Sequence, residues 1–396
     1  MGEWKEKSLI ELADIIPGFA FKSNDFGPIG EIVIKIKDIH PPLIDLSSTE
    51  KVNTSNYDKN KLKKYLLEYG DFVVAMTGAT IGKVGRLKEK KPAFINQRVA
   101  KINAKKGVNN DFIYYSVTSY DFQVFIQNNI DSHSAQENIS GNSIGRFPIL
   151  APPLPEQTAI ASILSSLDDK IDLLHRQNAT LEKMAETLFR QWFVEEAKEE
   201  WENCVLEDLC SQINSGGTPS TKIETYYNGN INWYSTKELN DNYLFESISK
   251  ITQDGLENSA AKLFPKGTVL IAIYAAPTVG RLGILGNQSA FNQAACGLIA
   301  NDKICCKEFI YLYLKNQRNE LNAMASGSAQ QNLNVGKIKT YPAFIPDDIT
   351  MNKFKREIIP FFEKIEKNAM QIRTIKALRD TLLPKLMSGE VRVEPD

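Results

Sequence analysis

The strongest constraint in this sequence is that much of it is written twice. "WKEKSLIEL" (4–12) matches "WENCVLEDL" (201–209) at an offset of 197. "GDFVVAMTGATIGKVGRL" (70–87) matches "GTVLIAIYAAPTVGRLGIL" (267–285), and "AFINQ" (93–97) matches "AFNQ" (290–293). "FIYY" (112–115) matches "FIYL" (309–312), and "SAQENI" (134–139) matches "SAQQNL" (328–333). Residues 167–189 return as 361–383 at an offset of 194, with Lys170 and Lys364, Ile171 and Ile365, and Leu188 and Leu382 identical. Matches in one order at nearly one offset mean a duplicated domain of about 195 residues, too long a period for a solenoid. A chain of 396 residues is in any case too long for one ordinary core.

Each repeat divides into a globular part (1–150, then 201–346) and a long helix (151–200, then 347–396). "APPLPEQ" (151–157) and "IPDDIT" (345–350) mark the junctions, because proline forbids helix before it and suits a helix start. The globular parts are mixed α/β. "EIVIKIKDI" (31–39), "GDFVVAMT" (70–77), "INWYS" (231–235) and "GTVLIAIY" (267–274) read as strands. Gly78, Gly82 and Gly85 predict a tight strand-turn-strand connection, and 110–127 reads as one amphipathic helix.

The helices carry heptad seams. The first runs Ile160, Leu164, Leu167, Ile171, Leu174, Asn178, Leu181, Ala185, Leu188, Trp192. The second runs Phe354, Ile358, Phe361, Ile365, Asn368, Ile372, Ile375, Arg379, Leu382, Leu386. Pro360 is expected to kink or restart the second helix. Each seam packs either on its own globular part or on the other seam; near-equal repeats favour an antiparallel pair with pseudo-two-fold symmetry. Asn178 and Asn368 are candidates for setting its register. Trp192 reads as seam packing, while Phe193 fits either packing or partner docking. A pair of about 25 residues spans roughly 40 Å, close to the ~34 Å of one DNA turn.

Composition narrows the chemistry. With 42% hydrophobic and 24% charged residues, the chain is a globular protein. It shows no signal-peptide run and no long uncharged apolar stretch, so a cytoplasmic protein without a membrane span is expected. Cys204, Cys210, Cys296, Cys305 and Cys306 form no C-x-x-C pair, and His40, His133 and His175 stand apart from them, so ordinary thiols are expected and no metal. A net charge of −1 argues against non-specific coating of nucleic acid. The charge is uneven, however: 1–150 hold 20 Lys and Arg against 17 Asp and Glu, and 151–200 hold 5 against 10. "GATIGKVG" (78–85) is not a Walker A loop, and no N/D-P-P-Y/F methyltransferase motif occurs.

The run "PPLPEQTAIASILSSLDDKIDLLHRQNATLEKMAETLFRQWF" (152–193), "LLPKLMSGEV" (382–391), the two tryptophan-led domain starts and the two "SAQ" segments together resemble the specificity subunit of Type I restriction–modification systems. The resemblance covers nearly the whole chain. It implies an α+β architecture: two target-recognition domains joined by an antiparallel pair of coiled-coil helices. It implies a bipartite double-stranded DNA site, two methyltransferase subunits and restriction subunits as partners, and no catalysis or cofactor in this chain. S-adenosylmethionine, ATP and Mg belong to those partners. The competing reading is a coiled-coil scaffold whose repeats bind protein and not DNA.

Reading bases needs donors and acceptors on turns, and phosphate contact needs cations or hydroxyls. In the first repeat the candidates are Lys22, Ser23, Asn24, Lys35, Lys37, Thr77, Thr80, Lys83 and Arg86, with Ser134 and Gln136. In the second they are Thr218, Ser220, Thr221, Lys222, Tyr234, Ser235, Thr236, Lys237, Tyr274, Thr278 and Arg281, with Ser328 and Gln330.

Overall fold

Phe72–Ala75 and Val269–Ala272 are strands in which every residue is buried. Each is the middle strand of a sheet covered on both faces, which is why both read as unbroken apolar runs. Alternation sends Phe72 and Val74 into one core and Val73 and Ala75 into another. Val269 and Ile271 part from Leu270 and Ala272 in the same way. The coordinates are a computed structural model, which describes residues 3–130, 137–274, 278–326 and 333–394. By contacts the chain divides into two units, Met1–Lys170 with Ile375–Asp396, and Ile171–Thr374.

In the first unit one sheet has the spatial order Ala13–Pro17, Val99–Ala104, Phe72–Ala75, Val84–Arg86, Leu43–Ile44, Ile39–His40. The second sheet runs Phe26–Gly27, Glu50–Val52, Glu31–Ile34, Ala93–Ile95, Leu66–Leu67. The other unit repeats the first sheet as Cys210–Ser215, Ala295–Ala300, Val269–Ala272, Leu282–Leu285, Asn242–Leu244. It repeats the heart of the second sheet as Ser249–Ile251, Tyr227–Tyr234, Ala290–Phe291. A ribbon closes each unit: Lys5–Ser8 pairs with Pro148–Ala151, and Glu202–Val205 with Pro342–Ile345. The duplication is therefore structural as well as sequential: the shared strands keep one order, and the first unit adds strands at the sheet edges.

The single helix expected over 110–127 is two, Asn110–Thr118 and Tyr120–Asn128. Ser119 breaks it: its backbone is extended and its hydroxyl accepts the Phe122 N–H at 3.2 Å, capping the second helix. The first long helix is Leu154–Arg190, continued by a π turn at Gln191–Glu195. The second is Asp348–Ser388 and does not restart at Pro360. Pro360 is exposed, while Ile358 and Phe362 on either side are buried and hold the helix in place.

Within each unit the two helical segments run antiparallel. In the second, Asn178 meets Asn368, and Phe189 meets Phe354 with ring centroids 6.1 Å apart. In the first, Arg379 donates to Asp168 at 2.8 Å, and Arg392, just past the second helix, holds Glu156 near the start of the first. Both packing alternatives are realised together. Ile160, Leu164 and Leu386 belong to the core of the first unit, and Ala185, Phe354, Ile358 and Ile365 to that of the second. Phe193 is 2% exposed, packed on Phe354 and Phe309, so it is a core residue. Trp192 lies half-buried against Phe354.

Candidate nucleic-acid interface

At one rim of the first unit, backbone hydrogen bonds tie several turns into one surface. The Asn96 N–H donates to Ile34 O at 3.0 Å, and Met76 N–H donates to Arg98 O at 2.9 Å. Ile139 N–H then donates to Met76 O, and Gly78 N–H to Glu137 O, both at 3.0 Å. The arch 18–25 joins through Gly18 N–H to Val99 O at 2.8 Å and Phe19 N–H to Ile95 O at 2.9 Å. Backbone donors at strand ends need such partners, and turns fixed on a sheet are where side chains can be held for recognition.

The second unit builds the same rim. Asn292 N–H donates to Tyr234 O at 2.9 Å, Ile273 N–H to Ala294 O at 2.8 Å, and Leu333 N–H to Ile273 O at 3.0 Å. Its arch, 216–222, enters through Gly217 N–H to Phe291 O at 2.9 Å. Glycine is required at both arch entries. A Cβ on Gly18 would lie 2.2 Å from Asn96 O, and one on Gly216 would lie 2.0 Å from Phe291 O.

The rim sorts the predicted residues. Lys22, Ser23 and Asn24 are exposed on the first arch, and Lys83 is exposed on the turn after Phe72–Ala75. Thr77 and Thr80 are half-buried there. Lys35 and Lys37 share Glu50 at 2.5 and 3.1 Å, so part of their charge is already met; the Glu50 hydrogen bond raises the Lys37 pKa. In the second unit Ser220, Thr221, Lys222 and Lys237 are exposed, and Ser235 and Tyr274 are half-buried. Thr218 donates its hydroxyl to Gln293 Oε1, and Arg281 donates to Asn240 Oδ1 at 3.2 Å.

Four of the expected contact residues are buried in the structure. Arg86 is 6% exposed; it donates to Asp111 Oδ1 at 2.7 Å and stacks 3.7 Å over the Tyr114 ring. Tyr234 is fully buried, and Thr236 and Thr278 nearly so, facing each other at 3.4 Å. Each of the four exposes less than a tenth of its surface. Ser134, Gln136, Ser328 and Gln330 lie outside the described residues.

The rim also exposes Gln97 and Arg98, and, at the matching place, Gln293. Their signal was the "INQ" and "FNQ" match, which marks a shared turn between two strands. Arg98 stands where the second unit has Ala294, so the two rims differ in charge although their backbones agree. Exposed amides and hydroxyls can pair with base edges, and exposed Lys and Arg with phosphates.

Among the described residues no cluster of His, Cys, Asp and Glu could hold a metal, and no helix is long and apolar enough to cross a membrane. Burial pushes the Cys296 and Cys305 thiols up to about 12, which makes them inert packing groups.

Residues 1–183 and 198–378 each match the family described as Type I restriction modification DNA specificity domain. The Type I restriction enzyme MjaIX specificity subunit of Methanocaldococcus jannaschii is 27% identical over 377 residues, spanning 88% of this chain and 86% of that protein. The EcoBI specificity subunit of Escherichia coli is 24% identical over 440 residues, spanning 99% and 87%. A crystal structure of the Type I restriction–modification S subunit from M. genitalium has the same fold, with a TM-score of 0.62 at 16% identity, over 97% of this chain and 96% of that one.

Proposed function

Because the chain belongs to the Type I restriction–modification specificity subunit family, we propose that it reads an asymmetric, two-part DNA site, one half with each unit. The observation that carries this reading is the rim built twice on one backbone plan with different side chains. Equal scaffolds with unequal tips suit two different short sequences. Lys22, Lys83 and Arg98 in one unit, and Lys222, Lys237 and Arg281 in the other, take phosphates and set register. Ser23, Asn24 and Gln97, and Ser220, Thr221 and Gln293, reach base edges.

In this reading 1–150 and 201–346 are the recognition domains, and 151–200 and 347–396 the spacer helices. The helices dock two methyltransferase subunits and the restriction subunits. The chain itself is non-catalytic and acts in the cytoplasm. Adenine methylation with S-adenosylmethionine, and cleavage driven by ATP with Mg, belong to the partners.

The test is co-expression with the partner methyltransferase, followed by mapping of modified adenines. Two short motifs at a fixed separation support the reading; one continuous motif overturns the two-part site. The net charge of −1 favours a second reading, a scaffold that binds only proteins. Stable partner complexes without any methylation would establish that one instead.

A further inference from the structure

We propose that Tyr57 is a positioning residue for base reading: it locks the arch 18–25 of the first unit and so fixes the bases that one half-site requires. The proposal rests on the two-part reading above. Two kinds of contact from one side chain carry it. The Tyr57 ring meets Phe19 and Phe21 edge-on, with centroids 5.4 and 5.5 Å away. Its hydroxyl accepts the Lys22 N–H at 3.0 Å and donates to Asp25 Oδ2. The exposed Ser23 and Asn24 lie between those two tied points.

The hydrogen bond to the Asp25 carboxylate also raises the Tyr57 pKa, so the phenol keeps its proton as donor. Without the hydroxyl, the turn retains backbone bonds, among them Asp25 N–H to Lys22 O at 3.1 Å, Phe26 N–H to Ser23 O, and Asn53 N–H to Asp25 O at 2.8 Å. The Lys22 N–H and the carboxylate then turn to water, and the Ser23 and Asn24 side chains sample more than one direction.

The second unit clamps its arch with different side chains. The Tyr227 hydroxyl donates to Pro219 O at 2.7 Å, and the Trp233 indole N–H to Gly217 O at 2.9 Å. Each half of the protein therefore has its own clamp, and loosening one leaves the other in place. A tyrosine that served only stability would lower the melting temperature of its unit without relaxing base preference in a chain that still melts like wild type.

The experiment uses the full chain with its methyltransferase partner and maps methylated adenines for wild type, Tyr57→Phe, Asp25→Ala and Tyr227→Phe. Tyr57→Phe keeps the ring, and wild-type melting behaviour is expected. Its preference for the cognate base should fall roughly three- to tenfold in one half-site, the worth of one hydrogen bond. Asp25→Ala, which removes the other end of that bond, should loosen the same half. Tyr227→Phe should loosen only the opposite half. A wild-type two-part motif left unchanged in Tyr57→Phe and Asp25→Ala, or loosened equally in both halves, overturns the clamp and leaves the functional reading standing. A wild type that modifies no two-part motif overturns the reading, and the clamp with it.

Discussion

Asn368 donates its amide N–H to Asn178 Oδ1 at 2.8 Å across the helical seam of the second unit. Asn368 is fully buried, and Asn178 half-exposed. In an otherwise apolar seam, a buried amide finds its acceptor in one register only; a slip by one turn would strand it.

Asn178→Ala should therefore cost about 1–3 kcal/mol, because it leaves the Asn368 amide with only Gln177 Oε1 at 3.4 Å. Replacing both asparagines by leucine should restore stability or raise it, since no buried polar group is then left over. Urea unfolding of Asn178→Ala, Asn178→Leu, Asn368→Leu and the double leucine variant checks this; additive losses across the leucine variants would mean that the pair is not coupled.

Trp201 and Lys198 both donate to Asp347 Oδ2, at 3.0 and 2.7 Å, and the Thr350 N–H donates to Oδ1 at 2.9 Å. The Lys198 hydrogen bond, then that of Thr350, then that of Trp201, hold this carboxyl well below its ordinary value of 3.8. A depressed acid stabilises the fold fully above its unfolded value and loses that contribution as pH falls through the lower, folded one. Asp347→Ala should cost about 1 kcal/mol at pH 7 as a lost helix cap. The gap to wild type should narrow below pH 3.8. Melting temperatures measured across acid pH decide; a gap that stays constant would remove the linkage.

Lys83 and Arg86 lie three residues apart and should behave oppositely. Lys83→Ala should leave stability within about 0.5 kcal/mol and flatten the salt dependence of DNA binding by the partner-bound chain by about 0.9 in log–log slope, one phosphate contact. Arg86→Ala breaks the Asp111 pair and the Tyr114 stack, and should cost about 1–3 kcal/mol with the salt slope unchanged. Titrations at several salt concentrations, with melting curves, separate the two. An unchanged slope in Lys83→Ala would remove that residue from the interface.

Gly18→Ala should push the first arch off the sheet, since its Cβ would meet Asn96 O at 2.2 Å. A cost of about 1–3 kcal/mol is expected, with loss of discrimination in one half-site. Gly27→Ala, where a Cβ meets nothing within 4 Å, is the control. Equal methylation patterns in both variants would show that the arch tolerates the methyl group.

The sequence by itself determined the duplication, the order of parts and the two long helices, because repeats, heptad seams and proline junctions are local signals. It also determined that Asn178 and Asn368 belong to the seams. Only the tertiary structure decided that these two meet, that Ser119 divides a helix, and that the seams serve each other and the unit cores at once. It likewise decided which candidates have a surface. Lys83 and Arg86 look alike as residues of one turn and strand, but Arg86 is covered by Tyr114 and Asp111, which arrive from a later helix. Burial of that kind depends on contacts between distant segments, and no periodicity within the chain encodes them. The rim itself is made of backbone bonds between turns far apart in sequence, so Gln97 and Gln293 became visible as matching positions only once the sheets had brought those turns together.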